Sequence, residues 1–143
     1  MRYVLLVSHG TMAPGVHSVT KMLLGDREDV ISYSMEDGVS ADAYMEGLRA
    51  AIEPIGADDS VVVLGDIVGG SPLTNALNVL TEKGLIANTI ALGGLSLPMA
   101  ISALMAVDDG ADDATLVESV MSEAREGVRQ VVLELEGDED EEL

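Results

Sequence analysis

The run Tyr3-Val4-Leu5-Leu6-Val7-Ser8 sets the architecture of this 143-residue chain. It stays apolar up to its terminal serine and is too short for a typical helix, which predicts a strand buried on both faces. The run Ser60-Val61-Val62-Val63-Leu64-Gly65-Asp66 repeats this pattern in the middle of the chain, and weaker runs lie at 30–33 and 89–92. Because strands buried on both faces need helices on both sides, the pattern favours a parallel sheet.

Five segments between and after these runs space their apolar residues at the period of a helix. Their stripes are Val16, Val19, Thr20 and Leu23; Ala41, Tyr44, Met45, Leu48 and Ile52; Leu73, Ala76, Leu77 and Leu80; Ile101, Leu104 and Met105; and Val117, Val120, Met121, Ala124 and Val128. We expect most of the eight methionines to fill the core from these stripes. Residues 129–135 resemble a last strand with a more polar face, which predicts an edge strand.

The order of these elements predicts an α/β fold: a three-layer open sheet, mainly parallel, with helices on both faces. We expect the strand order 2-1-3-4 and one domain over residues 1–135. Residues 136–143 contain six acids and no base. They predict an acidic, disordered tail.

Composition excludes several classes of function. The chain has no cysteine, which excludes disulfides, thiol chemistry and cysteine-based metal centres. Three tyrosines are its only aromatic residues, so few side chains are available to stack on nucleic-acid bases or on a flavin. With 7 basic and 26 acidic residues, its net charge of −19 disfavours nucleic acid and anionic membranes and favours a partner with a basic face. No secretory signal or membrane-spanning run is present, so a cytoplasmic location is expected.

Two polar residues follow the two clearest strands. His9 ends the first run and Asp66 ends the run at 60–66. In open parallel sheets, ligands bind beyond the carboxyl ends of the strands, and the order 2-1-3-4 places these two ends side by side. A carboxylate that accepts one imidazole N–H fixes the tautomer and makes the other nitrogen more basic. We therefore predict that His9 is a nucleophile and that Asp66 orients it.

A candidate anion cradle surrounds this pair. Gly69 and Gly70 allow close approach of the backbone, Ser71 is a good N-cap, and Pro72 is a good first helical residue. The helix that begins there directs free N–H groups toward the same point. Gly10 and Thr11, which follow His9, add a second turn. A nucleophilic imidazole beside an oxyanion cradle predicts phosphoryl transfer through phosphohistidine.

Structural roles compete with this interpretation. Taken singly, a histidine at a strand end, a Gly-Gly-Ser-Pro joint and an aspartate in a turn are each more often structural, and only their combination favours a site. His9, His17 and Asp66 form the only conceivable set of ligands for a metal site, and His17 is expected to face solvent on the first helix. We expect neither a metal nor a cofactor.

Three motifs occur together in this chain: Val-Ser-His9-Gly, Asp66-x-x-Gly69-Gly70-Ser71-Pro72 and Gly93-Gly94-Leu95-Ser96-Leu97-Pro98-Met99. In combination they resemble the IIA component of the mannose-family sugar phosphotransferase system. The resemblance covers residues 1–133. It implies that His9 accepts a phosphoryl group from the histidine-containing phosphocarrier protein and passes it to a histidine of the IIB component, while membrane components IIC and IID import the sugar.

The resemblance also implies that Asp66 orients the imidazole and that Ser71 and neighbouring amides hold the phosphate. It implies a homodimer that exchanges a C-terminal strand, which fits residues 129–135. Because the sequence ends after its acidic run, IIB is expected on a separate chain. Two departures stand out: Ile67-Val68 replaces Thr-Trp of some members, and Ser96 replaces Asn.

Two other functions stay open from the sequence. One is the phosphocarrier subunit of a dihydroxyacetone kinase, which shares the fold and the early Ser-His. The other is a non-catalytic, anion-binding regulatory module of flavodoxin-like shape.

Overall fold

The computed structural model describes residues 1–135, and the predicted acidic tail at 136–143 lies outside the described residues. The strands are β1 (Arg2–His9), β2 (Val30–Met35), β3 (Ser60–Gly65) and β4 (Thr89–Gly93). The helices are α1 (Met12–Leu24), α2 (Ala41–Ala51), α3 (Ser71–Glu82), α4 (Leu97–Asp108) and α5 (Asp113–Glu126), with a short 3-10 turn at Ile86–Asn88. In this part of the chain, no helix is long and apolar enough to cross a membrane.

The four strands form one parallel sheet in the order β2-β1-β3-β4, which confirms the predicted α/β fold and strand order. Alternate residues of β1 face two separate cores. Leu5 and Val7 pack with α2 and α3, whereas Val4 and Leu6 pack with α1, α4 and α5. Both faces of the central strands are therefore covered, as their continuous apolar sequence requires.

The sequence was less informative about which helical residues are buried. Only Met99 of the eight methionines lies fully in the core, and Met1, Met12, Met22 and Met105 are exposed, so a general core-filling role was wrong. On α1, Leu23 is also exposed, because the buried side of this helix runs through Ala13 and Thr20.

The last predicted strand does not form within this single chain. Residues 128–134 have no regular secondary structure, and their apolar side chains are exposed. β4 pairs only with β3, so its outer edge has no strand beside it in residues 1–135. The exchange of a strand between two subunits stays a prediction.

Because all four strands run in the same direction, their carboxyl ends lie at one edge of the sheet. The segments after β1 and β3 meet there, since β1 and β3 are neighbours with Val7 beside Gly65. This edge holds His9 and Asp66.

Candidate active site

His9 and Asp66 form a hydrogen-bonded pair at the ends of β1 and β3. The His9 Nδ1 lies 2.8 Å from Asp66 Oδ2. Because an ionised carboxylate can only accept, Nδ1 carries the proton and donates it. The side chain of His9 is 47% exposed, whereas that of Asp66 is only 11% exposed. The predicted pair is thus assembled, with the carboxylate inside and the imidazole at the surface.

Backbone amides hold Asp66 in place. Its Oδ2 also accepts the backbone N–H of His9 at 2.9 Å, and its Oδ1 accepts the N–H of Ile67 at 2.9 Å. Burial by itself would raise the pKa of Asp66, but the hydrogen bonds from His9 and Ile67 lower this pKa below its usual value. Asp66 therefore stays a carboxylate at neutral pH and fixes the tautomer of His9.

The Nε2 of His9 makes no hydrogen bond within the described part of the chain. With Nδ1 protonated and bound to Asp66, Nε2 carries the lone pair. A carboxylate behind the ring also stabilises the positive charge that grows when Nε2 forms a bond. The pair therefore has the chemistry of an oriented nucleophile.

The loop after β3 covers one side of the imidazole. A Cβ placed on Gly70 would lie 3.2 Å from His9 Cε1, closer than side chains normally pack. Gly69 has φ +82°, which favours glycine, and Gly70 donates its N–H to the Ile67 carbonyl at 3.2 Å. Both glycines of the predicted cradle therefore let the backbone turn beside the ring.

Helix α3 begins one residue earlier than predicted. Gly70 is its N-cap, and Ser71 and Pro72 are its first two helical residues, so the prediction of Ser71 as the N-cap was wrong. No side chain of the described residues caps this end. Because Pro72 has no N–H, the amides of Ser71 and Leu73 are the first-turn donors that lack helical partners.

The hydroxyl of Ser71 has a partner that the sequence analysis missed. Asn75, one turn further along α3, donates from Nδ2 to Ser71 Oγ at 2.9 Å, and its Oδ1 accepts from Asn78. Because Ser71 Oγ accepts this bond, its own proton is available for an anion. The i, i+4 spacing of Ser71 and Asn75 is the signal that identifies this contact in the sequence.

The turn after β1 is organised by a buried serine. Gly10 has φ +59° and donates its N–H to the Met35 carbonyl at 2.9 Å, so this amide is used by the fold. Thr11 is the N-cap of α1 but makes no side-chain cap bond. Instead, buried Ser8 accepts the N–H of Ala13 at 2.7 Å. The role of Ser8 was not predicted from the sequence, because an N-cap side chain normally lies directly before the helix, where Thr11 stands.

The second histidine does not join this site. His17 Nδ1 lies 2.7 Å from Ser32 Oγ, and the side chain is partly buried, so the expectation that it faces solvent was wrong. Burial, followed by nearby Lys21, lowers the pKa of His17. Within residues 1–135, no three His, Cys, Asp or Glu side chains are close enough to form a metal site.

Apolar side chains stand exposed beside His9. Ile67 and Val68 follow Asp66 directly and are 55% and 76% exposed. Gly93 makes room for this loop, because a Cβ there would clash with Val68 Cγ2. A shallow groove lies at the opposite edge of the sheet, lined by Arg49, Ile52, Val79, Glu82 and Lys83. His9 and Asp66 thus lie at an open, partly apolar surface rather than in that groove.

Comparison with known proteins gives consistent results. A sequence model of the family described as "PTS system fructose IIA component" (EIIA-man) matches residues 3–121. The mannose-specific EIIAB component of the PTS from Escherichia coli K12 is 29% identical over 126 residues, which cover 88% of this chain and 38% of that protein. The EIIAB component of Shigella flexneri gives the same values. The chain therefore spans well under half the length of these relatives.

Two solved structures share the fold. The mannose/sorbose-specific IIA subunit from Enterococcus faecalis has a TM-score of 0.77 and 26% identity, with 93% of this chain and 96% of that chain covered. The phosphotransferase system component EIIA from Streptococcus agalactiae has a TM-score of 0.76 and 23% identity, with 91% and 97% covered.

Proposed function

Because this chain belongs to the EIIA-man family of phosphotransferase-system IIA components, we propose that it carries a phosphoryl group on His9. The observation that supports this role most directly is the 2.8 Å bond between His9 Nδ1 and Asp66, which leaves Nε2 unbonded at the surface. Asp66 orients the imidazole, and the proposed cradle comprises Gly10, Thr11, Gly69, Gly70 and Ser71. Gly10 and Gly70 shape its backbone, because their own N–H groups are bonded to the carbonyls of Met35 and Ile67.

The proposed transfer needs only one bond formed and one broken. The lone pair of His9 Nε2 attacks the phosphorus of a phosphohistidine on the donor protein, and the donor's P–N bond breaks. Nδ1 keeps its proton, so the phosphorylated ring is cationic and Asp66 stabilises it. The hydroxyl of Ser71 and the first-turn amides of α3 bind the phosphoryl oxygens. The same steps in reverse pass the group to the acceptor.

The cradle offers no basic side chain. No Lys or Arg occurs in residues 3–20 or 50–82, which include every proposed site residue. Neutral N–H and O–H donors bind a phosphoryl group less tightly than a guanidinium clamp does. Modest binding suits a carrier that must release the group to the next protein.

The donor in this proposal is the histidine-containing phosphocarrier protein, and the acceptor is a histidine of the IIB component. The membrane components IIC and IID then use the group during sugar uptake, so this chain works on the cytoplasmic side as a phosphotransferase. Its net charge of −19 favours a donor with a basic face.

Labelling from phosphoenolpyruvate tests the proposal. With enzyme I and the phosphocarrier protein present, we expect the wild-type chain to take up acid-labile phosphate. His9→Ala removes the nucleophile and should abolish the label. His17→Ala is the matched control, because His17 is bonded to Ser32 away from the site, and it should keep the label. Purified IIB should then remove it from the wild-type chain.

Three results contradict this function. Equal labelling of His9→Ala excludes His9 as the acceptor, and saturable anion binding without covalent label indicates a regulatory module. A labelled chain that IIB cannot discharge indicates a phosphocarrier of the dihydroxyacetone kinase type.

We also propose that residues 129–135 pair with the outer edge of β4 in a second copy of the chain. In the single chain, Val131, Leu133 and Leu135 are 92%, 83% and 90% exposed. Unpaired edges with exposed backbone donors and acceptors bind further strands readily. Exchange of this segment buries its apolar side chains and completes the predicted edge strand.

Sedimentation tests the exchange. The full chain should sediment as a dimer, and a chain ending at Gly127 should sediment as a monomer because it keeps the sheet but lacks the segment. A monomeric full chain, or a shortened chain that still dimerises, contradicts the proposal.

A further inference from the structure

Tyr44 places a buried hydroxyl against the start of helix α3. Its side chain is 1% exposed, and its hydroxyl donates to the Pro72 carbonyl at 2.9 Å. The ring packs in the core between the sheet, α2 and α3, with the ring of Tyr33 at a centroid distance of 5.5 Å. A buried hydroxyl without a partner is costly, so this bond fixes the position of Pro72 relative to α2.

Pro72 belongs to the turn that faces the nucleophile. It is the second residue of α3, and it follows Gly70, which lies against the His9 ring, and Ser71. On its other side, Leu73 packs tightly on Gly65, where an added Cβ would lie 2.9 Å from Leu73 Cβ. The first turn of α3 is therefore held at two points: by the apolar contact of Leu73 and by the hydroxyl of Tyr44.

We propose that Tyr44 is a positioning residue for phosphoryl transfer, and that its hydroxyl holds the Ser71 and Leu73 amides at their working distance from His9. This inference rests on the proposed function. Tyr44 is buried beneath the turn, so it acts only through the position of α3. Misplacement of binding groups by a fraction of a bond length is enough to slow a reaction several-fold.

The hydroxyl keeps its proton throughout the physiological range. Burial, followed by the neighbouring Tyr33 and Asp66, raises the pKa of Tyr44. A neutral phenol always has the proton that the Pro72 carbonyl needs. The contact is thus a permanent anchor rather than a switch.

Tyr44→Phe separates positioning from packing, because it keeps the ring and removes only the hydroxyl. Tyr3→Phe is a closely matched control: Tyr3 is also buried in the same core, and its hydroxyl also donates to a proline carbonyl, that of Pro54, at 3.4 Å. Tyr3 lies near the start of β1, at the opposite edge of the sheet from His9.

Two measurements decide the inference. In the unphosphorylated protein, the amide signals of Ser71 and Leu73 should shift in Tyr44→Phe but not in Tyr3→Phe. The Thr74 amide, which donates to the Gly70 carbonyl at 3.0 Å, should also exchange its hydrogen faster in Tyr44→Phe alone. In the transfer reaction, Tyr44→Phe should lower kcat about three- to tenfold with little change in KM for the donor, because Tyr44 does not contact the donor. Tyr3→Phe should transfer at the wild-type rate.

Unchanged amides and an unchanged kcat in Tyr44→Phe overturn the inference, even when the melting temperature falls. An equal loss in both variants also overturns it, because that result reflects general core packing. The amide measurement does not require phosphorylation. If Tyr44→Phe alters the amide signals but the wild-type protein never takes up label, the proposed function is rejected, and with it the role of Tyr44 in transfer.

Discussion

The two junctions that lead from a strand into a proline-containing helix use similar residues differently. After β4, Gly94 and Leu95 lead to Ser96, which caps α4 by accepting the N–H of Met99 at 3.3 Å. After β3, Gly70 takes the cap position without a side-chain bond, and Ser71 lies inside α3. The side chain of Ser96 caps the amides at the start of its helix, whereas Ser71 leaves the first-turn amides of α3 without a side-chain acceptor.

Proline explains this difference. In both helices it is the second helical residue, so the cap lies two residues before it. Ser96 stands two residues before Pro98, whereas Ser71 stands directly before Pro72. The spacing between serine and proline thus distinguishes a helix start that is capped by the serine side chain from one whose first amides remain free. The neighbouring strands add a second difference: Gly65 pairs with Gly93, so Asp66 corresponds in register to Gly94.

The largest expected effect concerns the carboxylate that only the β3 junction has. Asp66→Asn should lower the rate of phosphoryl transfer by about a hundredfold or more, because an amide fails to fix the imidazole tautomer or to stabilise its positive charge; the analogous change in a hydrolytic triad costs roughly ten-thousandfold. Rapid-quench measurement of labelled protein checks the rate, and circular dichroism checks that the fold is kept.

Asp59→Asn is the matched control for this change. Asp59 also accepts a backbone N–H, that of Gly56 at 2.7 Å, and binds the N-terminal amine, but it lies at the opposite edge of the sheet. The Asp59→Asn variant should transfer the phosphoryl group at the wild-type rate. A wild-type rate in Asp66→Asn would show that the carboxylate has no role in transfer.

The two serines should give opposite results. Ser71→Ala should slow transfer about tenfold, through loss of one hydrogen bond to a charged group, with little change in stability. Ser96→Ala should lower the free energy of unfolding by about 1 kcal/mol, through loss of a helix cap, with little change in transfer. Urea unfolding and the labelling assay, applied to both variants, measure the two effects.

If Ser71→Ala destabilises the protein as much as Ser96→Ala and transfers normally, the two junctions are equivalent and Ser71 is only structural. If Ser96→Ala slows transfer at unchanged stability, the β4 junction also takes part in the site.

The smallest expected effect is on acid stability. The folded-state pKa of Asp66 is lowered, so its ionised form stabilises the fold above the unfolded pKa near 3.8, and this stabilisation is lost as pH falls through the lower folded-state value. Because the pair with His9 is partly solvent-screened, we expect about 0.2–1 kcal/mol. The free energies of unfolding of wild type and Asp66→Asn, measured in urea, should therefore differ at pH 6, and the difference should shrink as pH falls below 3.8. A constant difference would contradict the assigned pKa direction.

The fold class and the identity of the two site residues were predictable from short sequence windows, whereas their contact was expected only through the predicted strand order. Tyr3–Ser8 and Ser60–Asp66 are continuous apolar runs that only a doubly covered strand accommodates, and His9 and Asp66 follow them directly. Which side of each helix is buried was less predictable. Leu23 matched the helical spacing yet is exposed, since the actual stripe of α1 is set by Ala13 and Thr20 against the sheet.

The amino-acid sequence alone determined the order of strands and helices up to residue 126, the burial of the central strands and the residues available for chemistry. These depend on hydrophobic period and on turn-forming residues, which act over a few neighbours. Tertiary structure decided the rest. The contact of His9 with Asp66 joins residues 57 positions apart, and that of Tyr44 with Pro72 joins residues 28 apart. Such contacts follow from how strands and helices pack, because packing brings together side chains that no local pattern relates.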